Sequence, residues 1–284
     1  MKVYPFEIPK PVAENLTVQQ DKEYVFFDKL HQHKEIQISL LVKGSGKLII
    51  GDSVHGYEQG DIIVVGSKIP HLFQSAVSKE QSHMISLFFT RDSFGADFFK
   101  ISDVQQLSGF FIKSDQGFKI IAPSNNLKEL IRQMPNMDKF DRFVHFLLIL
   151  KKIEESEVEI LTGFRHPKAL KSNEGERLQS VLEYVMHHFN EDIRLETISK
   201  LAYMTPNGFC RFFKQRTNKT FFQFLIELRI EHVCQLLNSN KDITIAEASE
   251  KAGFKSISNF NRKFKKLKGM TPSGYMSKWK VRTT

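Results

Sequence analysis

The chain has 284 residues, 41% of them hydrophobic, and a formal net charge of +9. This length is enough for two domains of ordinary size, and this apolar content excludes a chain that is disordered throughout. The charge is unevenly placed, because residues 1–171 hold 22 Lys and Arg against 21 Asp and Glu, whereas residues 172–284 hold 19 against 11. The basic excess of the C-terminal part indicates a polyanionic partner there, with a merely solvated basic surface as the alternative.

Two cysteines, Cys210 and Cys234, stand too far apart for a metal-type pair and are too few for a disulfide framework. The N-terminal residues MKVYPFEIPKPVAEN lack the apolar run of a signal peptide. The longest apolar stretch, residues 143–150, is too short to span a bilayer. We therefore expect a cytoplasmic protein that makes no membrane contact.

Short β-type runs occupy residues 24–89, separated by turns such as Gly44-Ser45-Gly46 and Gly60-Asp61. Such closely spaced strands predict an antiparallel sandwich or barrel. The clearest runs are residues 36–42, 47–50, 61–65 and 84–89.

A helical pattern replaces the β pattern from about Asn125. Apolar residues recur at i, i+3, i+4 and i+7 between Leu127 and Met134, and a second helix is predicted over residues 139–155. Residues 158–174 include Gly163 and Pro167, which favours a linker. Helices follow from there to the end.

The C-terminal part contains one unit twice. Residues 195–216 and 244–267 each predict a short helix, a tight break, and a second helix with aromatic and basic residues. Placing Phe209 on Phe260 also places Arg211 on Arg262, at an offset of 51 residues. We therefore predict two helix-turn-helix units, at residues 195–217 and 244–268.

Local capping signals support these boundaries. Thr205 precedes a proline and is expected to cap the second helix of the first unit, and Ser256 has the same position in the second unit. Thr244 and Glu247 have capping-box spacing, and Gly253 suits the left-handed position after a helix. On the last helix Phe260, Phe264 and Leu267 are predicted to share a buried face. The opposite face is polar and cationic, as a helix in a major groove requires.

Roughly residues 175–282 resemble the AraC/XylS family of transcription regulators. The resemblance is carried by Leu201-Ala202, by F-C-R-F-F-K at residues 209–214, by L-R-I-E-H-V-C-Q-L-L at residues 228–237, by I-A-E-A at residues 245–248, and by residues 253–275. The sequence departs from the family pattern at Gly208, Asn218 and Ser249, where a larger residue, Gly and Ala are usual.

The resemblance implies that exposed residues of both recognition helices bind DNA: Asn207, Cys210, Arg211 and Lys214 in the first, and Ser258, Asn259, Arg262 and Lys266 in the second. The lysines are expected to act electrostatically. For Arg211 and Arg262, a phosphate contact is the alternative to reading a base.

A series of histidines and glycines over roughly residues 20–90 resembles the cupin β-barrel found in front of many such DNA-binding domains. Metal-binding cupins use two His, a Glu and a third His, and the corresponding residues here are His31, His33, Gln37 and His71. Because Gln37 supplies no charge, we expect these residues to bind a small-molecule effector, with a sugar as one candidate, and we expect no metal or other cofactor. Glu35 shares a strand face with Gln37 and stays open as a neighbour.

The predicted fold class is α+β: an N-terminal cupin-like antiparallel β-barrel followed by helices, then an all-α double helix-turn-helix domain. Residues 1–160 are assigned to sensing and dimerisation, residues 161–174 to a linker and residues 175–284 to DNA binding. The family commonly dimerises through helices after the barrel, so we expect a homodimer, with simple packing of those helices on the barrel as the alternative.

We expect a sequence-specific transcription regulator rather than an enzyme, with double-stranded DNA and an effector as partners and RNA polymerase as a further candidate. One rival is a metal-dependent cupin enzyme with a DNA-binding tail, against which Gln37 argues. The other is a non-specific nucleoid protein, which would not need two distinct recognition faces.

Overall fold

Strands precede helices in the computed structural model, which describes residues 14–26, 28–76, 78–163, 172–239 and 242–282. Two compact units are formed by residues 1–53 with 57–172 and by residues 54–56 with 173–284. The α+β class is confirmed, with the strands arranged as two antiparallel sheets. The proposed domain limits stay a prediction, and residues 164–171 of the predicted linker lie outside the described residues.

The larger sheet has the strand order β1-β7-β2-β5-β8-β9, and the smaller sheet has the order β4-β3-β6. The strands are β1 (Thr17–Glu23), β2 (Ile36–Lys43), β3 (Gly46–Ile50), β4 (Ser53–Tyr57), β5 (Ile62–Val65), β6 (His71–Ser75), β7 (Ser82–Phe89), β8 (Phe118–Ile120) and β9 (Val158–Ile160). The four predicted runs correspond to β2, β3, β5 and β7. The prediction of a linker from residue 158 was wrong at its start, because β9 pairs with the distant β8.

β2 shows why the first unit has two cores. Ile36, Ile38 and Leu40 pack in a cluster with the helices, while Leu41 joins a second cluster to which both sheets contribute. Successive strand residues point to opposite faces, so the residues alternating with the isoleucines, Gln37 and Ser39, face away from the helices. Both are buried.

Three α-helices cover the larger sheet: α1 (Ser108–Ser114), α2 (Asn125–Gln133) and α3 (Lys139–Glu154). The side chain of Ser124 caps α2 and that of Asp138 caps α3. The two helices predicted after residue 125 are confirmed. Within the described ranges, no helix combines the length and the apolarity needed to cross a bilayer.

The second unit is all-α. Its helices are α4 (Ser172–His188), α5 (Leu195–Leu201), α6 (Pro206–Thr217), α7 (Phe221–Ser239), α8 (Ile245–Lys251), α9 (Ile257–Lys268) and α10 (Pro272–Arg282). The predicted caps are confirmed: Thr205 accepts from the Gly208 amide, Thr244 and Glu247 form a capping box, and Ser256 accepts from the Asn259 amide.

Two left-handed positions at helix ends, Asn218 and Gly253, are also as expected. Gly253 follows α8 with φ of +85°, and Asn218 follows α6 with φ of +53°. Asn tolerates this conformation better than most residues with a Cβ, so the departure from Gly at residue 218 is accommodated. One prediction was wrong: Leu267 is 41% exposed, because it lies in the last turn of α9, outside the cluster that buries Phe260 and Phe264.

α7 is the shared support of both helix-turn-helix units. Near its start, Phe221 and Phe224 contact Phe213 of α6, with ring centroids 5.6 and 5.7 Å apart. Further along, Ile230, Val233, Cys234 and Leu237 form one cluster with residues of α8 and α9. The two recognition helices therefore stand on one continuous helix.

Candidate DNA-binding and ligand-binding sites

α6 separates a buried aromatic face from an exposed polar face. Phe209, Phe212 and Phe213 are buried. The four residues predicted to bind DNA, Asn207, Cys210, Arg211 and Lys214, are exposed and recur at i, i+3, i+4 and i+7. This spacing keeps them on one side of the helix, so the structure brings them together as a surface that can face a groove.

α9 repeats this division. Phe260 and Phe264 are fully buried, while Ser258, Asn259, Arg262 and Lys266 are exposed. Arg262 Nη2 donates a hydrogen bond to Asn259 Oδ1 at 3.0 Å. This bond links the guanidinium to another residue of the exposed face, and the guanidinium has further N–H groups of the kind that a guanine edge accepts.

Some cations of the second unit are neutralised within it. The Arg216 guanidinium binds Glu174, and the Lys268 ammonium binds Glu231, which is buried on α7. The positive charge of the two recognition helices is carried by exposed side chains: Arg211 and Lys214 on α6, and Arg262, Lys265 and Lys266 on α9. Such exposed cations match the requirement for phosphate neutralisation.

The second site is a cluster of three buried histidines in the first unit. His31 forms an isolated bridge with His71, the first residue of β6, and His33 lies just before β2. Their ring centroids are 4.2 Å apart for His31 and His71, 5.0 Å for His33 and His71, and 6.0 Å for His31 and His33. The structure thus unites three residues that are separated by up to 40 positions.

The backbone fixes which ring nitrogen faces the centre of the cluster. Nδ1 of His31 lies 2.8 Å from the Lys29 carbonyl, Nδ1 of His33 lies 3.0 Å from the Glu35 carbonyl, and Nδ1 of His71 lies 2.8 Å from the Ile69 carbonyl. A carbonyl oxygen only accepts, so each Nδ1 carries the proton in a neutral ring. The three Nε2 atoms are then left with lone pairs.

Gln37 extends the cluster into a polar chain across the sheet. Its amide lies 3.2 Å from His33 Nε2 and 2.8 Å from Ser39 Oγ, and Ser39 Oγ lies 2.8 Å from Ser86 Oγ. The structure places Gln37 Oε1 at His33 Nε2, and Gln37 Nε2 donates to Ser39 Oγ. With the His33 proton on Nδ1, the reverse orientation of the Gln37 amide is the one that gives the imidazole lone pair a donor. All these groups are buried.

Burial also fixes the charge of His31 and His71. Removal from water lowers the pKa of His31 to about 4, although its hydrogen bond to the Lys29 carbonyl acts the other way. Burial and the two neighbouring imidazoles hold the pKa of His71 well below its usual value. His31 and His71 are therefore neutral near pH 7, and they offer acceptors rather than positive charge.

One polar atom at the centre of the cluster lacks a partner. Nε2 of His71 is buried without a hydrogen bond to any residue in the described part of the chain. An unpaired buried acceptor is unfavourable, so it indicates a group to be bound from outside. Glu35, which the sequence left open as a neighbour of Gln37, contacts the cluster from its outer side. Its carboxylate lies 3.9 Å from Nδ1 of His33, on the ring edge away from the Nε2 atoms.

Sequence reasoning missed Ser39 and Ser86. Ser39 could have been found, because it lies two positions after Gln37 and so shares its strand face. Ser86 lies opposite Ser39 only through the pairing of β2 with β7, which no local signal predicts.

Comparison with known proteins identifies two domain types along the chain. The family profile described as "Helix-turn-helix domain" matches residues 198–278, and the one described as "AraC-like ligand binding domain" matches residues 16–90. The chain is 24% identical to the uncharacterised HTH-type transcriptional regulator YdeC of Bacillus subtilis over 87% of this chain and 85% of that one. It is also 24% identical to the probable transcriptional regulator LumQ of Photobacterium leiognathi, over 95% and 98%.

Among solved structures, the DNA-binding domain of AdpA in complex with a target DNA is 27% identical, with a TM-score of 0.36, over 38% of this chain and 96% of that one. ToxT from Vibrio cholerae is 16% identical, with a TM-score of 0.38, over 92% and 96%. The two profiles match the two regions in the order expected from the sequence. The chain therefore belongs to the AraC/XylS family of transcription regulators, with an N-terminal ligand-binding domain and a helix-turn-helix DNA-binding domain.

Proposed function

We propose that this regulator binds a specific DNA site through α6 and α9 and that a small molecule at the histidine cluster changes its affinity for that site. The DNA part is supported by two exposed faces that carry hydrogen-bonding groups beside cations. The effector part is carried by the unpaired Nε2 of His71 within a cluster of buried imidazoles. A regulator of this kind works beside the chromosome, which places it in the cytoplasm.

Neutral acceptors select the chemistry of the effector. Imidazole lone pairs accept hydrogen bonds, while Ser39 and Ser86 can both donate and accept. A hydroxylated molecule such as a sugar matches this set better than an anion does, because the neutral His31 and His71 would not pair with a negative charge. The effector acts by binding one of two states of the protein more tightly.

Selection of bound sites from random DNA tests the proposed function. The full chain should enrich one motif, and repeating the selection with a panel of sugars should change its yield for one of them. His71→Ala should abolish that response and leave DNA affinity unchanged, whereas His83→Ala, a change of the partly exposed histidine on β7, should retain it. Enrichment of no motif would instead support a non-specific nucleoid protein.

One observation favours a second candidate ligand for the cluster, a divalent cation. One ring nitrogen from each of His31, His33 and His71 lies within 4.8 Å of the other two. Three imidazoles are a known donor set for Zn²⁺, and a bound cation would supply a Lewis acid to the pocket. Neutral Gln37 in place of a carboxylate weakens such a site, which is why the sequence predicts no metal.

Metal analysis of protein purified without added metal separates the two ligands. We expect far less than one metal ion per chain, with the effector response intact after treatment with a chelator. About one zinc, iron or manganese ion per chain, lost in His71→Ala and retained in His83→Ala, would contradict this expectation and support the cupin-enzyme alternative.

We further propose that the regulator forms a homodimer through α3. The exposed side of this helix carries Phe140, Val144 and Leu148, which are 73%, 40% and 44% exposed and form a stripe at i, i+4 and i+8. Asp141 lies near one end of the stripe and Lys151 near the other. Antiparallel pairing with a second copy buries the stripe and brings unlike charges together, so the surface matches itself.

A further inference from the structure

Tyr203 occupies the turn of the first helix-turn-helix unit in an unusual way. Its backbone φ is +54°, in the left-handed region, which is unfavourable for every residue with a Cβ and rare for bulky ones. Its side chain is 86% exposed, more than any other large apolar side chain in the described ranges. The ring therefore gains no burial that would offset the strained backbone.

The second helix-turn-helix unit provides an internal comparison with the first, because α8 begins 50 residues after α5. Gly253 there takes the place of Tyr203, with φ of +85°. Both turns have the same bonds: the Tyr203 amide donates to the Lys200 carbonyl at 3.0 Å, and the Gly253 amide donates to the Glu250 carbonyl at 2.8 Å. Glycine is the residue that this turn favours.

The surroundings of the two turns differ. A Cβ on Gly253 would lie 2.5 Å from the carbonyl oxygen of Asn190, and Lys255 next to it forms an ion pair with Asp192. The turn at Gly253 is thus covered by residues 190–192. Tyr203 is open to solvent, and neither Tyr203 nor the exposed Lys200 has a side-chain hydrogen bond or ion pair in the part of the chain that the structure describes.

The turn at Tyr203 immediately precedes α6, the helix proposed to enter the major groove, so it would lie beside the DNA backbone. Thr205, two residues after Tyr203, caps α6, and Asn207 is the first exposed residue of its recognition face. The N-terminal residues of a recognition helix reach base edges, so the residues just before it approach the flanking sugar-phosphate backbone. Lysine and tyrosine side chains are both common donors to phosphate.

We propose that the Tyr203 hydroxyl and the Lys200 ammonium hold one DNA phosphate at the edge of the groove entered by α6. The second helix-turn-helix unit lacks this contact, since Glu250 and Gly253 stand at the positions equivalent to Lys200 and Tyr203. The strained tyrosine is then retained for DNA binding and not for stability. This inference rests on the proposed DNA binding by the C-terminal compact unit. It adds a contact to the DNA backbone from a residue outside both recognition helices.

Fluorescence anisotropy with the full-length chain tests the contact, with a selected duplex and a random duplex at several salt concentrations. Tyr203→Gly should raise the thermal unfolding midpoint by a few degrees, because the strain is removed, yet weaken binding to both duplexes about five-fold or more. Tyr203→Phe should keep the midpoint and lose a similar factor in affinity. Tyr24→Phe, which alters an exposed tyrosine of the first unit, should change neither.

Lys200→Gln adds a charge-specific readout. It should reduce the slope of log affinity against log salt by about one, whereas the tyrosine variants should leave that slope unchanged. Ethylation of the phosphate beside the α6 site should weaken the parent protein and have no further effect on a variant that carries both Tyr203→Gly and Lys200→Gln.

Three results would overturn the proposal. Tyr203→Gly could be more stable and bind both duplexes as tightly as the parent, as expected if the ring contacts another protein. Tyr203→Phe could keep full affinity. The loss could also be confined to the selected duplex, although a phosphate contact carries no sequence information. If the parent prefers no sequence at all, the proposed function fails, while the random duplex still tests this contact.

Discussion

Arg262 and Lys266 are neighbours on the exposed face of α9, but their surroundings predict different roles. Arg262 is oriented by Asn259, whereas Lys266 forms no side-chain hydrogen bond or ion pair with the described residues. A planar guanidinium held in place can donate twice to one base, while a mobile ammonium acts as a point charge.

Alanine substitutions separate these roles. Arg262→Ala should weaken binding to the preferred site by about 1–3 kcal/mol and relax the preference at particular base pairs. Lys266→Ala should weaken binding to all sequences about equally and reduce the salt slope by about one. Titrations on preferred and random duplexes measure both effects. Equal losses from both variants on both duplexes would show that Arg262 binds phosphate.

Among the elements, α8 depends clearly on its N-cap residue, Thr244. Thr244 and Glu247 each satisfy a backbone amide of the other, so this short helix begins with a complete capping box. Thr244→Ala should lower the free energy of unfolding by about 1 kcal/mol. Ser277→Ala, an exposed change inside α10, should stay within about 0.5 kcal/mol of the parent. Denaturant titration of the full chain compares the two, and an equal effect would contradict the importance of the cap.

The common support of α6 and α9 on α7 predicts the footprint on DNA. Two recognition helices mounted on one helix should enter successive major grooves on one face of the duplex, about 10 bp apart. One chain should then protect roughly two helical turns. Footprinting of the parent beside Arg211→Ala and Arg262→Ala should show each variant weakening protection in a different groove. Protection of a single groove, unaffected by one of the variants, would contradict this geometry.

The same elements show what sequence alone could predict. The helices of the second unit were predicted with their caps, because Thr205, Thr244 and Ser256 act on amides only three residues away. The buried strands β2 and β5 were also found, since their apolar runs are local. β9 and the partner position of Ser86 were not found, because strand pairing joins residues far apart in the sequence and has no local signal.

The histidine cluster lies between these cases. His31, His33, Gln37 and His71 were identified together through a family pattern, and the structure brings them together. The orientation of the rings was not predictable, because it depends on the carbonyls of Lys29, Glu35 and Ile69 after the chain has folded. The exposure of Tyr203 was equally hidden, since only the comparison with Gly253 in the folded turn shows it.

For the whole molecule, the proposed dimer makes a prediction about mass in solution. A twofold axis through the middle of the α3 stripe would bring Val144 of each copy together. Val144→Lys should therefore give a monomer, because two buried ammonium groups would face each other. Ile121→Lys alters another exposed apolar residue of the first unit and should leave the dimer intact. Sedimentation equilibrium measures the mass, and a dimeric Val144→Lys protein would rule out this interface.

α7 has a consequence for how such a regulator can change over evolutionary time. Its buried residues contribute to two cores at once, so a change in its length or apolar pattern would destabilise the packing of both recognition helices. The outward residues of α6 and α9 belong to neither core. New operator sequences are therefore open to the chain through surface substitutions with little effect on folding, whereas the spacing between the two halves of an operator is inherited with the scaffold.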